Sequence, residues 1–534
     1  MSSRPVRATA LAAVALLFAA AAAGCGDGGD PMAGPTASPS PGTTGKGAAE
    51  HPALPASLTG QKLRWKKCEA PAADPVAEAP GSGWECTTLQ APLDYRKPDS
   101  GRTIGLALIR SAAAGDQQDR IGSLLFNFGG PGGSGVATLP GTASLFESLG
   151  SRYDLVSFDP RGVAGSSGVV CRGDKEMEAA AALDYTPDDP AEEKALLADA
   201  RAFAAGCEDG SGDVLPHIGT ESAARDLDLV REVLGDEKLN YFGFSYGTTL
   251  GGTYAHLFPE NVGRTVLDAV VDPSADDLQH ALNQATGFQR ALENYLADCA
   301  KKGAACPVGT DPEAGAGKVA GLLDRLDSNP LPAGDGRELT ETQALTGIAM
   351  TLYSKDYWKH LTQGLEEALR AGTGNVLLSM ADSYNNRAPD GRYGTQSHSQ
   401  RAISCADSTG RPTAAEAKKH LPDFREASPV FGEFLIWDLA GWCTDWPVLA
   451  TSDTPEVGAA GAGPILVIGT TGDPATPYEG ARLMADELGK GVGVHLTYDG
   501  EGHGAYMAGN ACTTKTVNAY LLDGKVPEDG KTCS

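Results

Sequence analysis

The sequence has little that would hold a metal, a phosphate or a nucleic acid. Its nine histidines show no ligand spacing, and no two of its 11 cysteines form a C-x-x-C pair. A metal centre is therefore not expected, and no cofactor is called for. Positive charge is scarce, with 43 Lys and Arg against 69 Asp and Glu and a formal charge of −26. A surface of that sign repels nucleic acid and anionic lipid heads but tolerates cationic ligands such as free amino termini. The same acidity keeps an exported protein soluble. No internal repeat is visible, which argues against a repeat array. The apolar run Ala8–Ala23 is too short and too Ala-rich for a membrane span.

What is present begins with a targeting segment. Arg4 and Arg7 precede the apolar run, and Ala22-Ala23-Gly24-Cys25 looks like a bacterial lipobox, in which the cysteine is acylated and becomes the first residue. Residues 1–24 read as a lipoprotein signal peptide, and their removal leaves a charge of −28 because they hold two arginines and no acid. Residues 25–56, rich in Gly, Pro, Ser and Thr, read as a flexible tether. The expected location is outside the cell, on the outer face of the membrane. Cys25 would be the only membrane contact, with release to the medium as a variant. An ordinary signal peptide with Cys25 incidental is the rival reading. Ten cysteines remain, an even number in an exported chain. They fall into near neighbours: Cys68 with Cys86, Cys171 with Cys207, Cys299 with Cys306, Cys405 with Cys443, and Cys512 with Cys533. Five disulfides are expected in that pairing, although spacing alone does not fix connectivity.

At 534 residues, with 41% hydrophobic and 21% charged residues, the chain suits a large globular protein or one domain carrying an insertion. Leu89–Leu93 and Thr103–Ile109 read as strands of a meander. Apolar strands then follow at Gly122–Phe128, Tyr153–Phe158, Leu239–Phe244, Thr265–Val271, Pro464–Ile468 and Val494–Tyr498. Ala223, Leu227, Val230 and Leu234 keep helical spacing, Gly235 is a stop signal, and Tyr246–Phe258 reads as a helix. Strands alternating with helices predict a mostly parallel sheet flanked by helices. Between Pro273 and Pro447 the pattern turns helical, over Ala275–Lys302, Glu313–Leu326 and Thr340–Ala371. The expected organisation is a core over 57–273, a mostly helical cap over 274–447, and a return to the core over 448–534.

The chemistry sits in loops after strands. Gly243-Phe244-Ser245-Tyr246-Gly247 matches G-x-S-x-G, a pattern that 68 glycines would produce by chance about 0.5 times in such a chain. Its setting gives it weight, because the serine falls between a strand and a helix, where the turn is strained and exposed. The Tyr246 N–H and the helix N-terminus then face the reacting oxygen. Asn127-Phe128-Gly129-Gly130-Pro131-Gly132-Gly133-Ser134-Gly135 follows another strand and offers the Gly130 N–H as a second oxyanion donor. A phosphate cradle fits less well, since the loop has no P-loop lysine and Pro131 removes an N–H. A neutral serine needs a base held by an acid, in the chain order Ser, acid, His. Asp473, in the loop after Ile465–Gly472, is the expected acid, with Asp499 as rival only four residues before the base. His503, flanked by Gly502 and Gly504, is the expected base, whereas His495 lies within a strand pattern. Thr476 would cap the following helix or hydrogen-bond the acid, the cap being preferred. Arg161, in Asp159-Pro160-Arg161-Gly162, would brace the oxyanion loop or, less favoured, bind a substrate carboxylate.

Taken together, Gly129–Gly133, Asp159–Gly162, Gly243–Gly247, Asp473-Pro474-Ala475-Thr476-Pro477 and Gly502-His503-Gly504 resemble the prolyl-aminopeptidase-like serine peptidases, and most nearly the secreted tripeptidyl aminopeptidases. The likeness runs from about Trp65 to the C-terminus. It implies an α/β-hydrolase fold with an inserted helical cap, a Ser245–His503–Asp473 triad, and release of short peptides, tripeptides, from free N-termini. Where that family often has a histidine, this chain has Phe128. Specificity for a free N-terminus requires a carboxylate to meet the ammonium in a capped pocket. The candidates are Asp407, Asp272, Glu433 and Asp445, with Asp407 favoured because it follows Cys405. The expected partners are peptide substrates, with the chain acting as a monomer. A carboxylesterase or endopeptidase using the same triad is the alternative. A lipid-anchored binding protein with a dead hydrolase fold is disfavoured because nucleophile, base, acid and oxyanion loop are all present.

Overall fold

The computed structural model describes residues 52–71, 74–450 and 455–534. The signal segment, Cys25 and the tether up to His51 lie outside the described residues. Among the described residues there are twelve strands: β1 Lys66–Lys67, β2 Glu85–Pro92, β3 Thr103–Ser111, β4 Gly122–Asn127, β5 Tyr153–Phe158, β6 Leu239–Phe244, β7 Val262–Asp268, β8 Leu331–Pro332, β9 Glu338–Leu339, β10 Ile465–Gly472, β11 Gly493–Glu501 and β12 Lys531–Cys533. Ten of them form one sheet in the order β1-β2-β3-β5-β4-β6-β7-β10-β11-β12, while β8 and β9 pair separately. The β1–β2, β2–β3 and β3–β5 pairings are antiparallel. Every later pairing, from β5–β4 to β11–β12, is parallel. This is the mostly parallel sheet expected of an α/β-hydrolase.

The central strands are apolar along their whole length because both faces are covered. In β10, Ile465 and Val467 pack with helices Thr220–Leu234, Tyr246–Leu257 and Glu479–Leu488 on one face. Their neighbours Leu466 and Ile468 pack on the other face with Val517, Tyr520 and Leu521 of helix Ala511–Asp523. Gly235 closes Thr220–Leu234 in the left-handed conformation, with φ 82°. The strand expected at Thr265–Val271 begins and ends three residues earlier, and Ala269 beyond it takes φ 59°.

All five expected disulfides are present in the expected pairing. Cys68 bonds to Cys86, tying the segment after β1 to β2. Cys171 bonds to Cys207, joining the loop after β5 to helix Pro190–Ser211. Cys299 bonds to Cys306 across the end of helix Asp277–Ala300. Cys405 bonds to Cys443, linking helix Gln396–Asp407 to the residue after helix Gly432–Trp442. Cys512 bonds to Cys533, fastening helix Ala511–Asp523 to β12.

The cap lies between β7 and β10 and carries its own core, built on Leu292, Leu296, Leu322, Leu345, Leu361 and Phe431 among others. Its main helices include Asp277–Ala300, Pro312–Ser328, Glu341–Leu352, Gln396–Asp407 and Gly432–Trp442. A second excursion joins it, contrary to the reading that placed residues 57–273 wholly with the core. Helices Asp174–Ala181 and Pro190–Ser211, inserted between β5 and β6, pack on the cap. Thr186 donates to Glu341 at 2.6 Å, Thr342 to the Leu183 carbonyl at 2.7 Å and Arg387 to Glu178 at 2.6 Å. These helices carry mostly short, polar or alanine side chains, so no strong apolar stripe announces them. Among the described residues, no helix is long and apolar enough to cross a membrane.

Candidate active site

Ser245 occupies the turn between β6 and helix Tyr246–Leu257, with φ 56° and ψ −127°. A non-glycine residue holds such a conformation only where its surroundings enforce it. Here the close fit does so. A Cβ on Gly243 would meet the Gly247 carbonyl oxygen at 2.3 Å, and one on Gly247 would meet the Asn127 carbonyl oxygen at 2.7 Å. Glycine at both positions thus lets the strand and helix close over β4.

The loop after β4 lies against this turn. A Cβ on Gly129 would come within 2.7 Å of the Ser245 Cβ and 3.2 Å of the Tyr246 nitrogen. Gly130 has φ 113°, and both Gly130 and Tyr246 line the cavity that contains Ser245. The Tyr246 N–H belongs to the first helical turn, whose amides have no intrahelical acceptor. Both residues thus border the space beside the Ser245 side chain. Asp159 holds this loop: its carboxylate accepts from the Ser134 hydroxyl at 2.6 Å, the Val136 N–H at 3.1 Å and the Gly165 N–H at 3.0 Å. Burial pushes its carboxyl up to about 6 in spite of those donors.

Arg161 is structural, but it does not brace the oxyanion loop as expected. Fully buried, it pairs with Asp226 at 2.6 Å and donates to the carbonyls of Pro92, Leu93 and His217. Bracing the loop falls to Asp159. Phe128 replaces a polar contact with stacking: its ring lies 5.9 Å from Phe244 at an interplanar angle of 5°.

Loops after β10 and β11 bring Asp473 and His503, the expected acid and base, together. His503 Nδ1 lies 2.9 and 3.0 Å from the two carboxylate oxygens of Asp473. Asp473 is fully buried and also accepts from the Ala475 and Thr476 N–H groups, each at 2.9 Å. The Thr476 hydroxyl donates to Asp473 at 3.1 Å and lies 3.4 Å from His503 Nδ1. Thr476 thus serves the acid and does not cap the next helix, which starts at Glu479. The rivals are placed elsewhere. Asp499 accepts from Thr471 at 3.2 Å, and His495 is buried with neither ring nitrogen bonded.

The nucleophile turn and the His503 loop are tied to one residue that sequence reading missed. The main-chain oxygen of Asp268, at the end of β7, accepts the Ser245 N–H at 3.1 Å. Its carboxylate accepts the Ala505 and Tyr506 N–H groups at 2.9 and 2.8 Å. Burial pushes the Asp268 carboxyl up to about 6, with the two amides opposing. Burial alone would lower the His503 ring. The charge of Asp473, its hydrogen bond and the charge of Asp268 outweigh that and hold the ring above its ordinary value. The cap also reaches this loop: the His503 N–H donates to the Tyr353 carbonyl at 2.8 Å, and the two rings meet edge-on at 5.3 Å.

A cavity of about 1080 Å³ where core and cap meet is lined by Gly130, Ser245 and Tyr246 of the core and by Tyr353, Phe431 and Trp442 of the cap. The four expected ammonium-binding acids separate here. Glu433 pairs with Arg425 at 2.6 Å and Asp445 with Arg201 at 3.3 Å, and neither lines the cavity. Asp272 lines it but closes its own turn through the Ser274 N–H and hydroxyl. Asp407, held beside the Cys405–Cys443 bridge, accepts from the Thr220 N–H at 2.7 Å and hydroxyl at 2.5 Å. It therefore serves the first turn of helix Thr220–Leu234. Among the described residues, one carboxylate group, Asp184, Asp327 and Glu341, lies close enough to share a cation. It sits where the second excursion meets the cap, and such clusters are common without an ion.

A strained serine between strand and helix, two amides beside it, and a histidine–aspartate pair on the two following strand-end loops define a serine hydrolase of the α/β type. Comparison with known proteins gives the family. The model of the "TAP-like protein" family matches residues 428–533. Serine protease Hip1 of Mycobacterium tuberculosis is 39% identical over 89% of this chain and 91% of its own. Carboxylesterase B of the same organism is 36% identical over 94% of each chain. A tripeptidyl aminopeptidase of Streptomyces lividans is 30% identical over 84% of this chain and 83% of its own. The chain belongs to the TAP-like α/β-hydrolase serine peptidases.

Proposed function

We propose that this chain is an exported serine exopeptidase that releases short peptides, tripeptides above all, from free N-termini. His503 takes the proton of the Ser245 hydroxyl as its oxygen attacks the scissile carbonyl. Asp473 fixes the ring through Nδ1 and stabilises the imidazolium. The amides of Gly130 and Tyr246 hold the oxyanion. The C–N bond then breaks, the leaving amine takes the proton from His503, and water hydrolyses the acyl-enzyme by the same route in reverse. The observation that carries the reading is the His503–Asp473 pair at 2.9 Å, on a loop anchored through Asp268 to the Ser245 turn. The cavity beneath the cap supports an exopeptidase, because a cap beside the nucleophile leaves less room for a continuous chain than for a chain end. Five disulfides support export to an oxidising compartment. Attachment through Cys25 is part of the same proposal, with peptides as the partners of a monomer.

A tripeptide anilide with a free N-terminus, its N-acetylated twin and a short-chain ester test the reading. An exopeptidase loses most of its kcat/KM on acetylation. Undiminished cleavage of the blocked peptide would make the enzyme an endopeptidase, and preference for the ester would make it a carboxylesterase, the activity named for one 36%-identical relative.

A further inference from the structure

We propose that Asp438, on the cap helix Gly432–Trp442, is the carboxylate that receives the ammonium group of the substrate's N-terminus. The proposal rests on the exopeptidase reading above and names the residue that would enforce it.

Elimination along the cavity wall leads there. Three acids on that wall are held by arginines, Asp94 by Arg96, Asp199 by Arg172 and Glu221 by Arg225, and a fourth, Glu456, lies 2.9 Å from the His256 ring. Three more accept from hydroxyl groups, namely Asp272, Asp407 and Asp277, the last from Ser408. Asp438 lines the same cavity and, among the described residues, makes no hydrogen bond or ion pair. Burial pushes its carboxyl up to about 6, and the charge of Arg401 opposes that only in part. Arg401 spends its own donors on the carbonyls of Trp442, Ala200 and Gly441.

A partly buried carboxylate without a partner is costly to maintain. A cationic ligand end would offset that cost, and the surroundings suit one. Tyr185 and Tyr384 both line the cavity; burial raises both phenols, and the charge of Asp438 adds to the rise. The Tyr185 ring packs on Phe434 at 5.5 Å. Aromatic faces beside a carboxylate stabilise an ammonium from several sides.

The spacing also fits a short peptide. From His503 the path runs to Tyr353, with rings 5.3 Å apart, and on to Tyr384, 6.2 Å further. Tyr384 and Asp438 line the same cavity, and the charge of Asp438 acts on the Tyr384 phenol. A short peptide can follow those two rings along the cavity wall away from the base. Three extended residues span about 10 Å.

The test compares wild type, D438N and D438E of the full secreted chain on two anilides. One is a free tripeptide anilide; the other has the ammonium replaced by hydrogen. The readout is the ratio of the two kcat/KM values, which cancels any general loss of activity. Losing a buried charge partner should lower that ratio by about 100-fold in D438N. D438E keeps the charge but moves it by one methylene, and should lower the ratio by about 10-fold. If the wild type discriminates strongly and both variants keep its ratio within about threefold, Asp438 is not the partner and the exopeptidase reading stands. If the wild type itself treats the two anilides alike, the exopeptidase reading falls and Asp438 with it.

Discussion

Core and cap of this protein solve different problems. In the core, each reacting group sits on a strand-end loop and is fixed by hydrogen bonds that involve the main chain. Asp473 is held by the amides two and three residues on, and Ser245 by the β7 end. In the cap, polar groups facing the cavity come from separate helices and loops and are arranged by packing. Tyr185, Tyr384 and Asp438 belong to three distant segments. Main-chain anchors at strand ends thus set how the reaction runs, while side-chain packing between helices and loops sets what is admitted to it.

Variants can break that division, and the expected effects run from very large to none. S245A should leave a folded, disulfide-bonded protein whose kcat falls on the order of 10⁶-fold. Wild-type turnover in S245A would refute the nucleophile assignment. D473N should lower kcat by about 10⁴-fold, because an amide holds the wrong ring tautomer. D268N should cost roughly 10–100-fold in kcat, since its two amide contacts aim the His503 loop. It should also move a limb of the pH profile. The reaction needs the neutral ring, and the Asp268 charge helps keep that ring protonated. Without it, the acid limb of kcat/KM against pH should shift to lower pH. An unmoved limb would make Asp268 a scaffold only. T476V removes one hydroxyl bond to the acid and should cost about fivefold in kcat. E433Q and D445N, both outside the cavity, should stay within about twofold of wild type on every substrate. A large effect from either would mean that the cap controls the chemistry through its outer ion pairs.

The legibility of the sequence follows the same line. Gly243-Phe244-Ser245-Tyr246-Gly247 is readable because the geometry it serves spans five residues. Asp473 and His503 are readable because each follows an apolar strand at short range. Disulfide pairing is readable because every bridge, from Cys299–Cys306 to Cys405–Cys443, closes a loop of 38 residues or fewer. Asp268 is not, since its partners Ala505 and Tyr506 lie more than 230 residues away and no motif marks them. Nor is Asp438, which reads in isolation as an ordinary acid on an apolar helix. Glu433 looked equally eligible and is neutralised by Arg425, eight residues earlier, a contact that depends on how two helices turn. The helices at Asp174–Ala181 and Pro190–Ser211 escaped notice because they become cap only by meeting Thr342, Arg387 and Lys418.

The bond from the His503 N–H to the Tyr353 carbonyl has a practical consequence for engineering. Exchanging lids between related enzymes is an obvious route to new selectivity. In this chain the lid supplies a fastening for the general base, so a transplanted one would have to rebuild that anchor before its selectivity could be read at all.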